Sequence, residues 1–96
     1  MPGYLNNGVP VVMSIAGDVF IDRCRILAVI WEGATISGNT CSLIDRITSD
    51  LLWAGRTDAD QTYLGANFSG EGIHCPNGFK LSQISAGRVL VYLRSG

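Results

Sequence analysis

Short apolar stretches rich in β-branched and aromatic residues, each closed by Gly, Asn or Asp, recur along the chain about seven times. No segment carries a sustained 3.6-residue apolar stripe with an N-cap and a long body. Strands at roughly 8–12-residue spacing indicate a sandwich or barrel. The expected fold is therefore all-β: a two-sheet antiparallel β-sandwich, jelly-roll-like, with an extended N-terminal arm. Residues 1–8 form the arm, a Pro, Gly and Asn mixture holding Tyr4 and Leu5. Residues 9–96 form the single sandwich domain.

The strand candidates are specific. Val9 to Ile15 opens the series, with Pro10 near its start, where a missing amide donor does least harm. Arg25 to Glu32 is the strongest candidate. Both of its faces are largely apolar, which places it centrally with cover on each side, or at an interface. Thr40 to Arg46 alternates Cys41 and Leu43 against Thr40 and Ser42, and Asp50 to Gly55 and Gln61 to Phe68 follow. Phe79–Ile84 and Gly87–Arg94 read as a closing hairpin. A helix over Ile44 to Trp53, on apolar Ile44, Ile47, Leu51 and Leu52, is the weaker reading beside dense glycines. Ile21-Asp22-Arg23 recurs as Ile44-Asp45-Arg46, and Trp31-Glu32-Gly33 as Trp53-Ala54-Gly55, offsets that would suit two similar hairpins.

Composition narrows the functional classes. Hydrophobic residues make up 47% and charged residues only 16% of the 96, against a usual charged share of roughly a quarter. So few charges on a small domain imply that part of the surface faces a partner, because interface cores are depleted in charge. Net charge is −1 with no basic patch, so no nucleic-acid partner is expected. No apolar run approaches the ~20 residues of a membrane span, so no membrane partner is expected either. The first eight residues lack a basic n-region and an apolar h-region, unlike a signal peptide. Cys24, Cys41 and Cys75 are odd in number and widely spaced, which indicates buried reduced thiols made in a reducing cytosol.

Candidate chemistry is sparse. His74 is the single histidine, and adjacent strand residues point to opposite faces, so His74 and Cys75 do not make a nucleophile–base pair. No Cys-x-x-Cys spacing supports a zinc site. Asp58 and Asp60 lack the oxygen-rich loop a calcium ion needs. Gly70-Glu71-Gly72 has no following Lys-Ser/Thr, and no Gly-x-Ser-x-Gly is present. No catalytic residue, cofactor or metal is assigned, and no enzyme is expected. Trp31, Trp53 and Tyr63 would be the stacking surface of a carbohydrate-binding module, or else core and interface anchors. Arg23, Arg25 and Arg88 would pair with Asp22, Asp45 or a neighbour's carboxylates.

One resemblance covers residues 9–94. Ile30-Trp31-Glu32-Gly33, Thr40-Cys41-Ser42-Leu43-Ile44-Asp45, Leu52-Trp53-Ala54-Gly55, Pro76-Asn77-Gly78-Phe79-Lys80-Leu81 and Gly87-Arg88-Val89-Leu90-Val91-Tyr92-Leu93 follow one another in order. This order resembles small β-sandwich structural proteins of tailed bacteriophages, including capsid cement (decoration) proteins and tail-associated subunits. The resemblance implies a virion component on the capsid surface, synthesised in the host cytoplasm. Its partners would be the major capsid protein and further copies of itself, as a dimer or trimer. A tail or head–tail location is the alternative. On the last strand, Val89, Val91 and Leu93 are expected in the core. Arg88, Leu90, Tyr92 and Arg94 are then expected, with Tyr4 and Leu5 of the arm, to meet a neighbouring subunit.

Overall fold

A computed structural model describes residues 10–33, 38–57, 63–68 and 70–95. The expected arm at 1–8, with Tyr4 and Leu5, lies outside the described residues, as do Asp58 and Asp60. Nine strands and no helix occupy the rest: β1 (Val11–Met13), β2 (Val19–Phe20), β3 (Cys24–Glu32), β4 (Thr40–Asp45), β5 (Leu51–Arg56), β6 (Tyr63–Asn67), β7 (Ile73–Cys75), β8 (Phe79–Ile84) and β9 (Arg88–Ser95).

The strands form two antiparallel sheets. The first runs β1-β9-β3-β6, with β7 also on β3, and the second runs β2-β8-β4-β5. β6 pairs with Ala28–Glu32 and β7 with Cys24–Ile26, while β9 lines the opposite edge of β3. Thus β6 and β7 are one interrupted strand. Counted so, the two orders are those of an eight-stranded jelly roll. Gly72 makes the interruption possible, because a Cβ there would collide with the Ile26 carbonyl.

The expected closing hairpin is corrected. β8 pairs with β2 and β4, β9 pairs with β1 and β3, and the Ser85–Gly87 link crosses between sheets. The link is pinned at three points. Ser85 N donates to Thr40 O at 3.0 Å, Trp31 Nε1 donates to Ala86 O at 2.9 Å, and Gly87 presses on Glu32 and Gly33 with a φ of 81°. A Cβ at Gly87 would strike the Glu32 carbonyl, so only glycine fits this corner.

β3 explains its own apolar density. Cys24 and Ile26 point inward, then a bulge between Ile26 and Ala28 shifts the phase, so Val29 and Trp31 point inward too. The core between the sheets contains Met13, Trp31, Leu43, Phe79, Leu81 and Val91. Phe20 stacks on Phe79 with centroids 5.4 Å apart.

Ile44 to Trp53 is a hairpin rather than a helix. The Asp45 carboxylate is 5% exposed and accepts the amides of Ile47 and Thr48, each at 2.8 Å. Ser49 follows with a φ of 66°, and the turn closes through Asp45 N to Asp50 O at 2.8 Å. Asn77 Nδ2 reaches the same carboxylate at 3.3 Å, and Arg46 Nε donates to Asn77 O at 2.8 Å. One buried acid therefore ties the β4–β5 turn to the β7–β8 turn. The tripeptide echoes do not mark two equivalent hairpins: Ile21–Arg23 straddles the link between sheets, whereas Ile44 and Asp45 lie in β4.

Candidate interaction surfaces

Register across the first sheet assembles its outer face row by row. Val12 stands opposite Leu90, Leu90 opposite Ile30, and Ile30 opposite Gly65. The next row is Tyr92, Ala28 and Asn67, and the one beyond it is Arg94, Arg25 and His74. At the other end Arg88 meets Glu32, with Arg88 Nε donating to Glu32 Oε1 at 2.6 Å. Alternation along β9 puts Val89, Val91 and Leu93 in the core and turns Arg88, Leu90, Tyr92 and Arg94 outward.

The result is an apolar strip rimmed by charge. Val12 is 54% exposed, and Leu90, Ile30 and Tyr92 are half-buried with no second layer over them among the described residues. The strip has a cationic end, where Arg25 and Arg94 share a cross-strand row with His74. Like charges directly opposite each other oppose pairing unless an anionic group joins them.

The outer face of the second sheet has different chemistry. Ser42 Oγ and Ser82 Oγ lie 2.6 Å apart, and Thr40 N donates to Ser85 Oγ at 3.1 Å. Gln83, Lys80 and Arg56 extend this polar surface, leaving Val19, Ile44 and Leu51 as its apolar members.

The remaining candidates fall into place around the core. His74 is exposed and Cys75 buried, on opposite faces of β7. Cys24 and Cys75 are register partners, and all three cysteines are free and buried. A hydrogen bond with Cys75, reinforced by burial, makes the Cys24 thiol harder to ionise, and burial pushes Cys41 up to about 12. Trp31 is 0% exposed, which removes it from any sugar-stacking row. Trp53 packs on the core from β5, and its ring fills the space above Gly55 beside Leu64. Arg88 pairs with Glu32, while Asp45 is engaged by amides and Asn77.

No family model matches the chain, and neither curated proteins nor solved structures give a match. Function rests on the surfaces alone.

Val12, Ala28 and Ile30 join Leu90 and Tyr92 on one face, and sequence reasoning had not grouped them. The period-two alternation of Ile30 with Trp31 was the available signal. The register that sets Ile30 beside Leu90 and Val12 is a long-range property.

Proposed function

We propose that this protein is a non-enzymatic structural component of a bacteriophage virion, a cement protein that seats the outer face of its first sheet on the capsid shell and self-associates. The observation that carries the reading is the strip Val12, Leu90, Ile30 and Tyr92, bounded by Arg88–Glu32 at one end and by Arg25 and Arg94 at the other. An apolar centre within a charged rim is how protein interfaces are built, with Tyr and Arg as favoured anchors. The low charge of the chain fits a domain that spends its life against a neighbour. The jelly roll occurs in viral capsid and lectin domains alike, so the fold does not choose between them. The burial of Trp31 weighs against the carbohydrate reading.

The mechanism is linkage. A protein that binds the assembled lattice but not its separated subunits shifts the balance toward the lattice. The cationic end of the strip would take a carboxylate from the major capsid protein, relieving the Arg25–Arg94 repulsion. No catalytic group, cofactor or metal enters this account.

Cosedimentation with shells of the major capsid protein encoded in the same genome tests the proposal. Saturable binding that raises the shell's disassembly temperature is the expected result. Binding to isolated tails but not to shells would move the protein to the tail, and binding to neither would overturn the virion reading.

A further inference from the structure

Two Asn-Gly steps occur in the chain, Asn7-Gly8 and Asn77-Gly78, and the second lies among the described residues. An asparagine followed by glycine is chemically labile, because no side chain shields the glycine nitrogen from the asparagine amide carbon. The structure explains why so labile a step is kept here. Gly78 has a φ of 77°, and a Cβ there would strike the Phe20 carbonyl oxygen, so only glycine fits. Asn77 is equally constrained. Its Nδ2 donates to Asp45 Oδ1 at 3.3 Å and to Oδ2 at 3.4 Å, so position 77 must offer a donor to a carboxylate that is 5% exposed. An ionised aspartate has no donor to offer.

Both reacting groups are tied down. The Gly78 amide donates to Cys75 O at 3.3 Å, closing a turn through Pro76 and Asn77. The Asn77 carboxamide is held by Asp45, and the Asn77 carbonyl accepts from Arg46 Nε at 2.8 Å. For Gly78 N to reach Asn77 Cγ, the carboxamide must leave Asp45 and the Gly78 amide must turn away from Cys75 O. Both motions undo the tie between the β4–β5 and β7–β8 turns.

We propose that Asn77 is a self-modification site, deamidated by Gly78 when the Asp45 tie opens, and that the product keeps the two turns from tying again. Gly78 N bonds to Asn77 Cγ, the Cγ–Nδ2 bond breaks, and ammonia leaves with the Gly78 amide proton. Water then opens the cyclic imide at either carbonyl, giving aspartate or isoaspartate at position 77. Aspartate sets a second carboxylate against Asp45, where like charges repel. Isoaspartate reroutes the main chain of the turn, and neither product restores the lost donor. The reaction runs one way, so the chain accumulates a record of its openings. This site goes beyond the docking reading and does not depend on it.

Site-resolved peptide mass spectrometry of the full chain, incubated folded and in denaturant, is the test. In denaturant Asn77 should exchange NH3 for H2O readily, and in the folded protein about tenfold more slowly or less often still. Asp45→Asn removes the charge that holds the carboxamide and should speed the folded-state reaction about tenfold, the factor expected for a hydrogen bond to a charged group. Arg46→Met frees only Asn77 O and should speed it less, so the test stands even where Asp45→Asn does not fold. Asn77→Asp makes one product directly and should lower the thermal midpoint by about 5 °C or more. Equal rates folded and unfolded, or rates indifferent to both Asp45→Asn and Arg46→Met, would overturn the proposal. So would an Asn77 that persists in denaturant, or an Asn77→Asp variant as stable as the wild type.

Discussion

The two outer faces of this sandwich differ more than their shared backbone pattern suggests. Each belongs to an antiparallel sheet whose inner side packs on the same core. Yet one presents Val12, Leu90, Ile30 and Tyr92 side by side, while the other presents Thr40, Ser42, Ser82 and Gln83, with Val19, Ile44 and Leu51 interrupted by Lys80 at one end. An antiparallel sheet with one solvated face normally reads apolar in and polar out. The second sheet obeys that rule around Ser42 and Ser82 and departs from it only in the row of Val19, Ile44 and Leu51. The first sheet breaks it over two adjacent rows, Val12–Leu90–Ile30 and Tyr92–Ala28, and this is the face for which the proposed function claims a partner.

The comparison can be broken from the core outward. Phe79→Ala, which empties the stack on Phe20, should destabilise the fold by about 3–5 kcal/mol, seen as a large fall in the denaturant midpoint. Both faces would be lost with it, so this variant sets the scale for unfolding. Leu90→Asp should lower the midpoint far less than Phe79→Ala, since Leu90 is only half-buried, but weaken partner binding by about 2 kcal/mol or more, the size expected of an interface anchor. Calorimetric titration against shells reads that loss. On the hydroxyl face, Ser42→Ala with Ser82→Ala removes one exposed hydrogen-bonded pair, worth about 1 kcal/mol or less to stability. It should leave binding alone, and a binding defect here would erase the distinction between the faces.

Acid sensitivity offers a further test. Amide hydrogen bonds from Thr48 and Ile47 hold the Asp45 carboxyl below its ordinary value of 3.8. A depressed folded-state value means that the unfolded chain binds the proton first. This contribution is therefore complete above the ordinary value and fades as pH falls through the folded one. Asp45→Asn should flatten the acid limb of a stability–pH curve and leave its neutral region lower. The smallest expected effect is chemical. With its thiol raised to about 12 and buried, Cys41 should resist alkylation at mild pH until the protein unfolds.

Much of this fold was legible because period-two alternation is local. β9 announced its two faces through Val89, Val91 and Leu93 against Leu90 and Tyr92, and β4 did so through Cys41 and Leu43. β3 was half legible. Its unbroken apolar run indicated a central strand, but the phase shift at Leu27 depends on how β9 pairs with it. Ser85-Ala86-Gly87 misled for a similar reason. A short glycine-containing link serves a hairpin and a corner between sheets equally well, and contacts to Trp31 and Thr40 decide which it is. Of the candidate surface, the β9 residues could be picked out from alternation. Val12 and Ile30 could not, because they reach Leu90 only through register across three strands.

The central claim is that the apolar outer face, and not the hydroxyl face, meets the shell. Cosedimentation of Ile30→Asp and Ser82→Asp with shells, each variant first shown to keep the wild-type thermal midpoint, tests it most directly. Ser82→Asp should pellet with shells as the wild type does, and Ile30→Asp should stay in the supernatant. Equal binding by both variants, or loss confined to Ser82→Asp, would contradict the account.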